Sequence, residues 1–447
     1  MSTAVNVRDF GATGDGKTLD TEAIQDAIDS CSAAGSGTVD FPEGRYLTGT
    51  LFIKDNVTLD LREDALLLGS TNIEHYSNPD AYVDGAGCRR GWALIVAVDS
   101  HSVGITGEGT IDGCGAAFAD EPERPMLLRF IRSKKICVEG VGLQNAGAWA
   151  SHYFQCHDVS ICGITIKSRC AHNNDGIDID STSDVAIAGC DIDTEDDAIC
   201  FKTTSEQPCR NVVVSNCDLS SDWGAIKFGT ESMGNFERFR ISDCRIRKTN
   251  GGGIKIFSVD GARINDIVLR DITMDQVDMP LFIRLGRRLR TYRPGDRPQE
   301  PGSIRNVTIR DVEAVAVDRG HVNPGCGMFI TGTSDLVVED VEMTGVTMSL
   351  AGGGTQERSA IEPPELETEY PEYRSFGVLP AHGLYCRHAR GITVDDLHVE
   401  TREQDTRPAI LLHDVSSSKL SNMTLSAGAT AGEPIVLRDC SNTVLDR

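Results

Sequence analysis

Cys190, Cys217 and Cys244 stand 27 residues apart, each in nearly the same local sequence: VAIAGCDI, VVVSNCDL and FRISDCRI. A fixed period in that range marks a chain that stacks on itself. Within each repeat, apolar and polar residues alternate at period two, so each repeat holds a strand with one buried face. The cysteine falls on the inward side every time. The expected fold is therefore all-β: a single-stranded parallel β-helix, right-handed because parallel crossovers prefer that hand. In such a solenoid, residues about one coil apart in sequence become neighbours in space.

A chain of 447 residues allows two or three domains by length, but stacked repeats need only their neighbours. The expectation is one β-helix domain over residues 1–447. The net charge of −24 argues against nucleic acid and anionic membranes as partners. No run of 18 apolar residues offers a membrane span. The start, MSTAVNVRDFGATGDG, has neither a basic n-region nor an apolar h-region. Fifteen cysteines, an odd number, read as reduced thiols, which fits a cytoplasmic protein. No CxxC pair and no Cys/His grouping with zinc spacing occurs, so no metal and no cofactor are expected. The oligomeric state is left open.

The segment DTEAIQDAIDSCSAAG, residues 20–35, predicts an amphipathic helix capping the open N-terminal end. Ile24, Ala27, Ile28 and Cys31 share its buried face, and Asp20 is its N-cap. Irregular coils are expected from about 36 to 130, with regular stacking from near Ile136. Residues 286–303 and 351–377 interrupt the rhythm as loop insertions, of the kind that carry function or stay disordered. Residues 11–18, GATGDGKT, match a phosphate-binding pattern. The helix signal comes after the Lys-Thr instead of at it, so a capping turn explains the glycines better.

A second strand column recurs in DGIDIDS, DDAICFKT, WGAIKFGT, GGGIKIFS and MPLFIRLG. Ile177, Ile199, Ile226, Ile254 and Leu281 point inward. Asp178, Cys200, Lys227, Lys255 and Phe282 follow on the outward side. Asp175 and Asp197 occupy matching positions in adjacent coils, about 4.8 Å apart at the backbone, with Asp196 beside them. Carboxylates so close do not ionise independently, and at least one pKa should rise. A protonated acid beside ionised partners suits glycoside hydrolysis, where one group protonates the leaving oxygen and another activates water. Acidic turns recur along the chain, and an ordinary solvated corner explains such a cluster as well. Trp223 is placed either to stack on a sugar ring or to cover a corner. Arg287, Arg288, Arg290 and Arg293 read either as a carboxylate-binding patch or as a loop paired with nearby acids.

The segments NNDGIDID (173–180), EDDAICFKT (195–203), AIKFGTES (225–232) and GGGIKI (251–256) together resemble glycoside hydrolase family 28, the polygalacturonase and rhamnogalacturonase group. FGATGDGKTLDTEAIQDAID resembles the N-terminal signature of the wider pectin-lyase-like β-helix superfamily. YPEYRSFGVLPAHGLYCRH (370–388) resembles a further family segment. The resemblance implies Asp196 as general acid, Asp175 and Asp197 as the pair that positions and deprotonates water, inversion at the anomeric carbon, and no metal. It implies substrate contact by Lys255. Asn173, Asp178, Trp223, Lys227, Glu231 and Arg284 are further residues expected at the substrate, Lys227, Glu231 and Arg284 because they lie in the same strand column or just after it. Two departures stand out. The family's GHG histidine falls on Gly224, and the arginine of its RxK motif falls on Gly253. The implied activity is hydrolysis of pectin-derived oligosaccharides, galacturonide- or rhamnose-containing; exo attack is expected from the long loops, which would close one end of the groove. The rivals are a Ca²⁺-dependent polysaccharide lyase on the same fold and a non-catalytic saccharide-binding β-helix.

Overall fold

The computed structural model describes residues 3–318, 322–425 and 433–446. They form a right-handed parallel β-helix whose residues divide into two compact units. The first holds residues 1–201, 207–218 and 292–294. The second holds 202–206, 219–291 and 295–447.

In the first unit each coil carries three short strands. Ser151–Phe154, His157–Cys162 and Thr165–Ser168 make one coil, and Ile177–Asp180, Ser183–Ala188 and Asp191–Thr194 make the next. The middle strands stack Val39, Leu59, Ile105, Val138, Ile161, Ile187 and Val214 directly above one another. Every one of these side chains is buried. Regular stacking thus begins at Gly37–Phe41, not near Ile136 as the sequence suggested. Coil length conceals it: a long excursion between Ala65–Gly69 and Ala93–Val98 breaks the spacing without breaking the register.

The capping helix runs Thr21–Ala33 and buries Ile24, Ala27, Ile28 and Cys31 as expected. Asp20 stands at the N-cap position, but its side chain caps no helix amide. Its carboxylate instead accepts the backbone N–H groups of Thr13 at 2.7 Å and Gly14 at 3.0 Å. The amides of the GATGDGKT loop that a phosphate would need are therefore taken by an internal carboxylate.

In the second unit the second and third strands of a coil fuse into long ones, such as Arg263–Val277, Ser303–Ala316 and Val338–Leu350. The inward position held by Cys244 continues through Ile272, Val312, Val346, Leu397 and Met423. The residue just before it turns the corner in left-handed conformation: Asp243, Asp271, Asp311, Asp396 and Asn422 have φ between 52° and 56°, and Gly345, before Val346, has φ 65°. Asp and Asn tolerate that region because their short polar side chains bond locally. This explains why acidic residues recur along the chain as corner residues. Asp271→Val should therefore cost about 1–2 kcal/mol, and Asp271→Gly much less, in chemical denaturation. Equal costs for the two substitutions would show that the corner conformation is not what selects the residue.

Both loop insertions are packed in place. In the basic loop, Arg288 bonds buried Asp260 at 2.6 Å and Arg287 pairs with Asp335 and Glu367. Arg293, counted with the first unit, lies 3.2 Å from Asp80 with its guanidinium 3.9 Å over the Phe154 ring. Of the two readings of this basic run, pairing with nearby acids is the one seen for these three. From 351–377, Tyr373 and Phe376 pack on a ladder of outward rings, in which Phe282 stacks on Phe329 at 5.1 Å and Phe329 on Tyr385 at 5.4 Å.

Candidate active site

The first unit assembles the acids. The backbone N–H of Gly176 donates to the Asp197 carbonyl at 2.9 Å, and that of Ile177 to Ala198 at 3.0 Å. These bonds set the NND corner one rung from the EDD corner. Carboxylate oxygens of Asp175 and Asp197 and the Cys200 sulfur all lie within 4.8 Å of one another. Asp175 is 2% exposed and Asp197 1%, whereas Asp196 is half-buried. Of the three acids, Asp196 is thus the one that solvent reaches.

Asn173 holds that acid. Its side-chain amide donates to Asp196 Oδ2 at 3.2 Å, while its oxygen accepts Arg124 Nη2 at 2.7 Å. Arg124 also donates to the His172 carbonyl. The next residue, Asn174, is fully buried and pins the corner. It donates to the carbonyls of Ala146 and Ala148, both at 2.9 Å, and accepts the amides of Cys170 and Ala171. His172 itself faces solvent at 86% exposure.

Asp178 lies in register with His152, which lies in register with Arg129, and all three are fully buried. Alternation alone put Asp178 outside. The excursion that precedes Ala93–Val98 folds over its two register neighbours: Tyr82 stacks on His152, and Arg129 donates to the carbonyls of Pro79, Asp80 and Gly91. Burial drives the His152 pKa down to about 4, although Asp180 at 3.2 Å pulls the other way. Burial would also lower the Arg90 guanidinium, but Asp84 at 2.7 Å, and more weakly Asp175, hold it above its ordinary value. The acid cluster therefore has positive charge in reach.

The second unit carries the remaining expected residues. Lys227 and Lys255 are register partners on adjacent strands, and both are buried. The Lys255 ammonium donates to both carboxylate oxygens of Glu372, at 2.9 and 3.0 Å, and lies 5.7 Å from the Trp223 ring centre. Trp223 is half-buried, with the Arg374 guanidinium 4.4 Å over its ring. Glu231 is buried and pairs with Lys202 at 3.5 Å. Arg284 is 1% exposed and donates to the carbonyls of Gly332, Glu365 and Leu366. It anchors the 351–377 insertion. Burial lowers its pKa to about 10, with Arg387 adding to the shift.

Sequence reasoning missed Arg124, Asn174, Glu372 and Arg374. Asn174 was legible as the second residue of the NND motif, and Glu372 and Arg374 sit inside the YPEYRSFG segment. Nothing in the spacing connects residue 372 to 255 or residue 124 to 173.

Asp175, Asp197 and Cys200 are the described residues placed to share a cation. A thiol beside two carboxylates suits a soft divalent ion. It does not suit Ca²⁺, which takes six to eight oxygens. No described helix is long and apolar enough to cross a membrane.

Fold and carboxylates together define a parallel β-helix protein with an acid cluster on adjacent rungs. The profile of "Glycosyl hydrolases family 28" matches residues 47–365, and that of "Rhamnogalacturonase A/epimerase, pectate lyase-like" matches residues 4–61. A probable polygalacturonase of Vitis vinifera is 32% identical over 292 residues, 60% of each chain. An exo-poly-alpha-D-galacturonosidase of Dickeya chrysanthemi is 29% identical over 44% of this chain and 41% of its own. The match therefore spans about half the length of these two relatives. The structure of a family 28 exopolygalacturonase from Yersinia enterocolitica superposes with a TM-score of 0.74 at 20% identity, covering 96% of this chain and 79% of that one. The chain belongs to glycosyl hydrolase family 28.

Proposed function

We propose that this chain hydrolyses glycosidic bonds in pectin-derived oligosaccharides with inversion, releasing sugars from a chain end. The observation that carries this reading is the pair of buried carboxylates on adjacent rungs, Asp175 and Asp197, with half-buried Asp196 held by Asn173. Asp196 protonates the departing glycosidic oxygen. Asp175 and Asp197 orient a water molecule and take its proton as it attacks the anomeric carbon from the opposite face. Trp223, Lys227, Glu231 and Lys255 are assigned to substrate contact on the family's motif order. Relatives named for exo cleavage support attack at chain ends.

The Ca²⁺-dependent lyase reading has less support, because the cluster that would hold the ion includes a thiol. Pectin-derived and rhamnose-containing oligosaccharides, followed by NMR from the first minutes, separate the readings. The expected product is the anomer opposite to the cleaved linkage, released as mono- or short saccharides, unaffected by chelator. A retained anomer, or an unsaturated ultraviolet-absorbing product lost with chelator, would overturn the proposal.

A further inference from the structure

The side chain of Asn173 stands between two groups with opposite demands. Arg124, buried, meets one end of its amide, and the half-buried carboxylate of Asp196 meets the other. An arginine carries donors and no acceptor. The Asn173 oxygen must therefore face Arg124 Nη2, at 2.7 Å, which leaves its NH2 group facing Asp196 Oδ2, at 3.2 Å. Arg124 is itself tied to this corner, because Nη1 donates to the His172 carbonyl. The second oxygen of Asp196, Oδ1, accepts the backbone N–H of Asp197 at 2.9 Å. All of these residues belong to the first unit.

An asparagine amide has nearly the same shape in either orientation, so only its partners decide which end faces where. With Arg124 gone, the amide is free to turn over and present its oxygen to Asp196. An ionised Asp196 repels that oxygen, but a protonated Asp196 donates its O–H to it. A general acid held in that bond points its proton at Asn173 and away from the glycosidic oxygen.

We propose that Arg124 is a positioning residue for the general acid: it locks the Asn173 amide with its donor end toward Asp196, so that Asn173 does not compete with the substrate for the proton. The inference rests on the glycosidase reading above and adds to it a residue that acts through another side chain. A purely structural arginine, which only ties the corner together, predicts losses that do not depend on the leaving group.

The test compares two leaving groups, using the full chain. One substrate is a pectin-derived oligosaccharide, whose leaving oxygen needs a proton. The other is the 4-nitrophenyl glycoside of the sugar released from it, whose phenolate departs without one. Arg124→Met should lower kcat on the oligosaccharide by roughly 10–100-fold, part of what a general acid supplies, and change kcat on the nitrophenyl glycoside by less than about threefold. Arg124→Lys, again a donor without an acceptor, should recover part of the loss. Asn173→Gly keeps the left-handed backbone, φ 55°, and removes the amide. In that background Arg124→Met should cost nothing further. Equal losses on both substrates, no loss on the oligosaccharide, or losses that multiply in the double variant would overturn the inference. If Arg124→Met does not fold, Asn173→Asp decides, because it keeps a partner for Arg124 and sets an acceptor against Asp196. A loss confined to the oligosaccharide supports the inference; an equal loss on both substrates, or none, overturns it. Wild-type hydrolysis without this discrimination leaves the glycosidase reading standing and removes Arg124 from it. Wild-type protein that cleaves neither substrate removes both.

Discussion

Asp196→Asn lowers kcat by roughly 10²–10⁴-fold, the loss that follows removal of a general acid. The asparagine keeps the shape of the side chain, but its single acceptor oxygen can serve either the Asn173 amide or the backbone N–H of Asp197, not both, and it cannot give a proton to the leaving oxygen. One of the two hydrogen bonds that the carboxylate accepts is lost, so stability should fall by about 0.5–1.5 kcal/mol, far less than the loss of activity. Asp175→Asn loses activity too, but for a different reason and with a different stability signature. Its carboxylate and that of Asp197 are buried within 4.8 Å, so neutralising one relieves like-charge repulsion. The thermal midpoint should hold or rise as activity falls. Full turnover in the Asp196 variant would sink the hydrolytic assignment and favour a saccharide-binding protein.

The largest expected stability effect lies at Lys255. Removing its ammonium in Lys255→Met leaves Glu372 charged and nearly enclosed, with its side chain only 10% exposed. An uncompensated buried charge of this kind costs about 3–5 kcal/mol. The double substitution Lys255→Met with Glu372→Gln should return most of that cost, because no charge is then stranded. Guanidinium denaturation of the wild type, both single variants and the double variant measures the coupling directly. If the single and double variants are equally unstable, the ion pair is not what holds the 351–377 insertion against the second unit's strand column.

The N-terminal segment shows how coil register was legible and how coil length misled. Alternation in GTVDFP and VTLDL was enough to mark strands, yet the irregular spacing before Ile136 suggested irregular stacking. In the structure Val39 and Leu59 already stand in the same inward column as Ile161 and Ile187. Register follows the pleat, which counts in twos. An excursion of any length at a corner leaves it intact.

The outward column shows the opposite limit. Period-two alternation assigned Asp178, Lys227 and Lys255 to the outer face correctly, but it carries no information about what covers that face. Insertions do: the excursion around Tyr82 covers His152, and the one around Glu372 encloses Lys255. Arg284, expected beside the substrate, lies in strand Leu281–Leu285, where loop carbonyls make it an anchor.

The sequence alone determined the local facts: strand periodicity, inward and outward faces, recurring acidic turns, and the rung-to-rung proximity of Asp175 and Asp197. Each depends on backbone geometry that repeats every two residues or every coil. Only the tertiary structure decided which outward side chains are enclosed, which charges are compensated, and that Arg374 rests on Trp223. Those contacts join residues separated by tens of positions to more than a hundred, and their formation depends on packing surfaces that no period in the chain encodes.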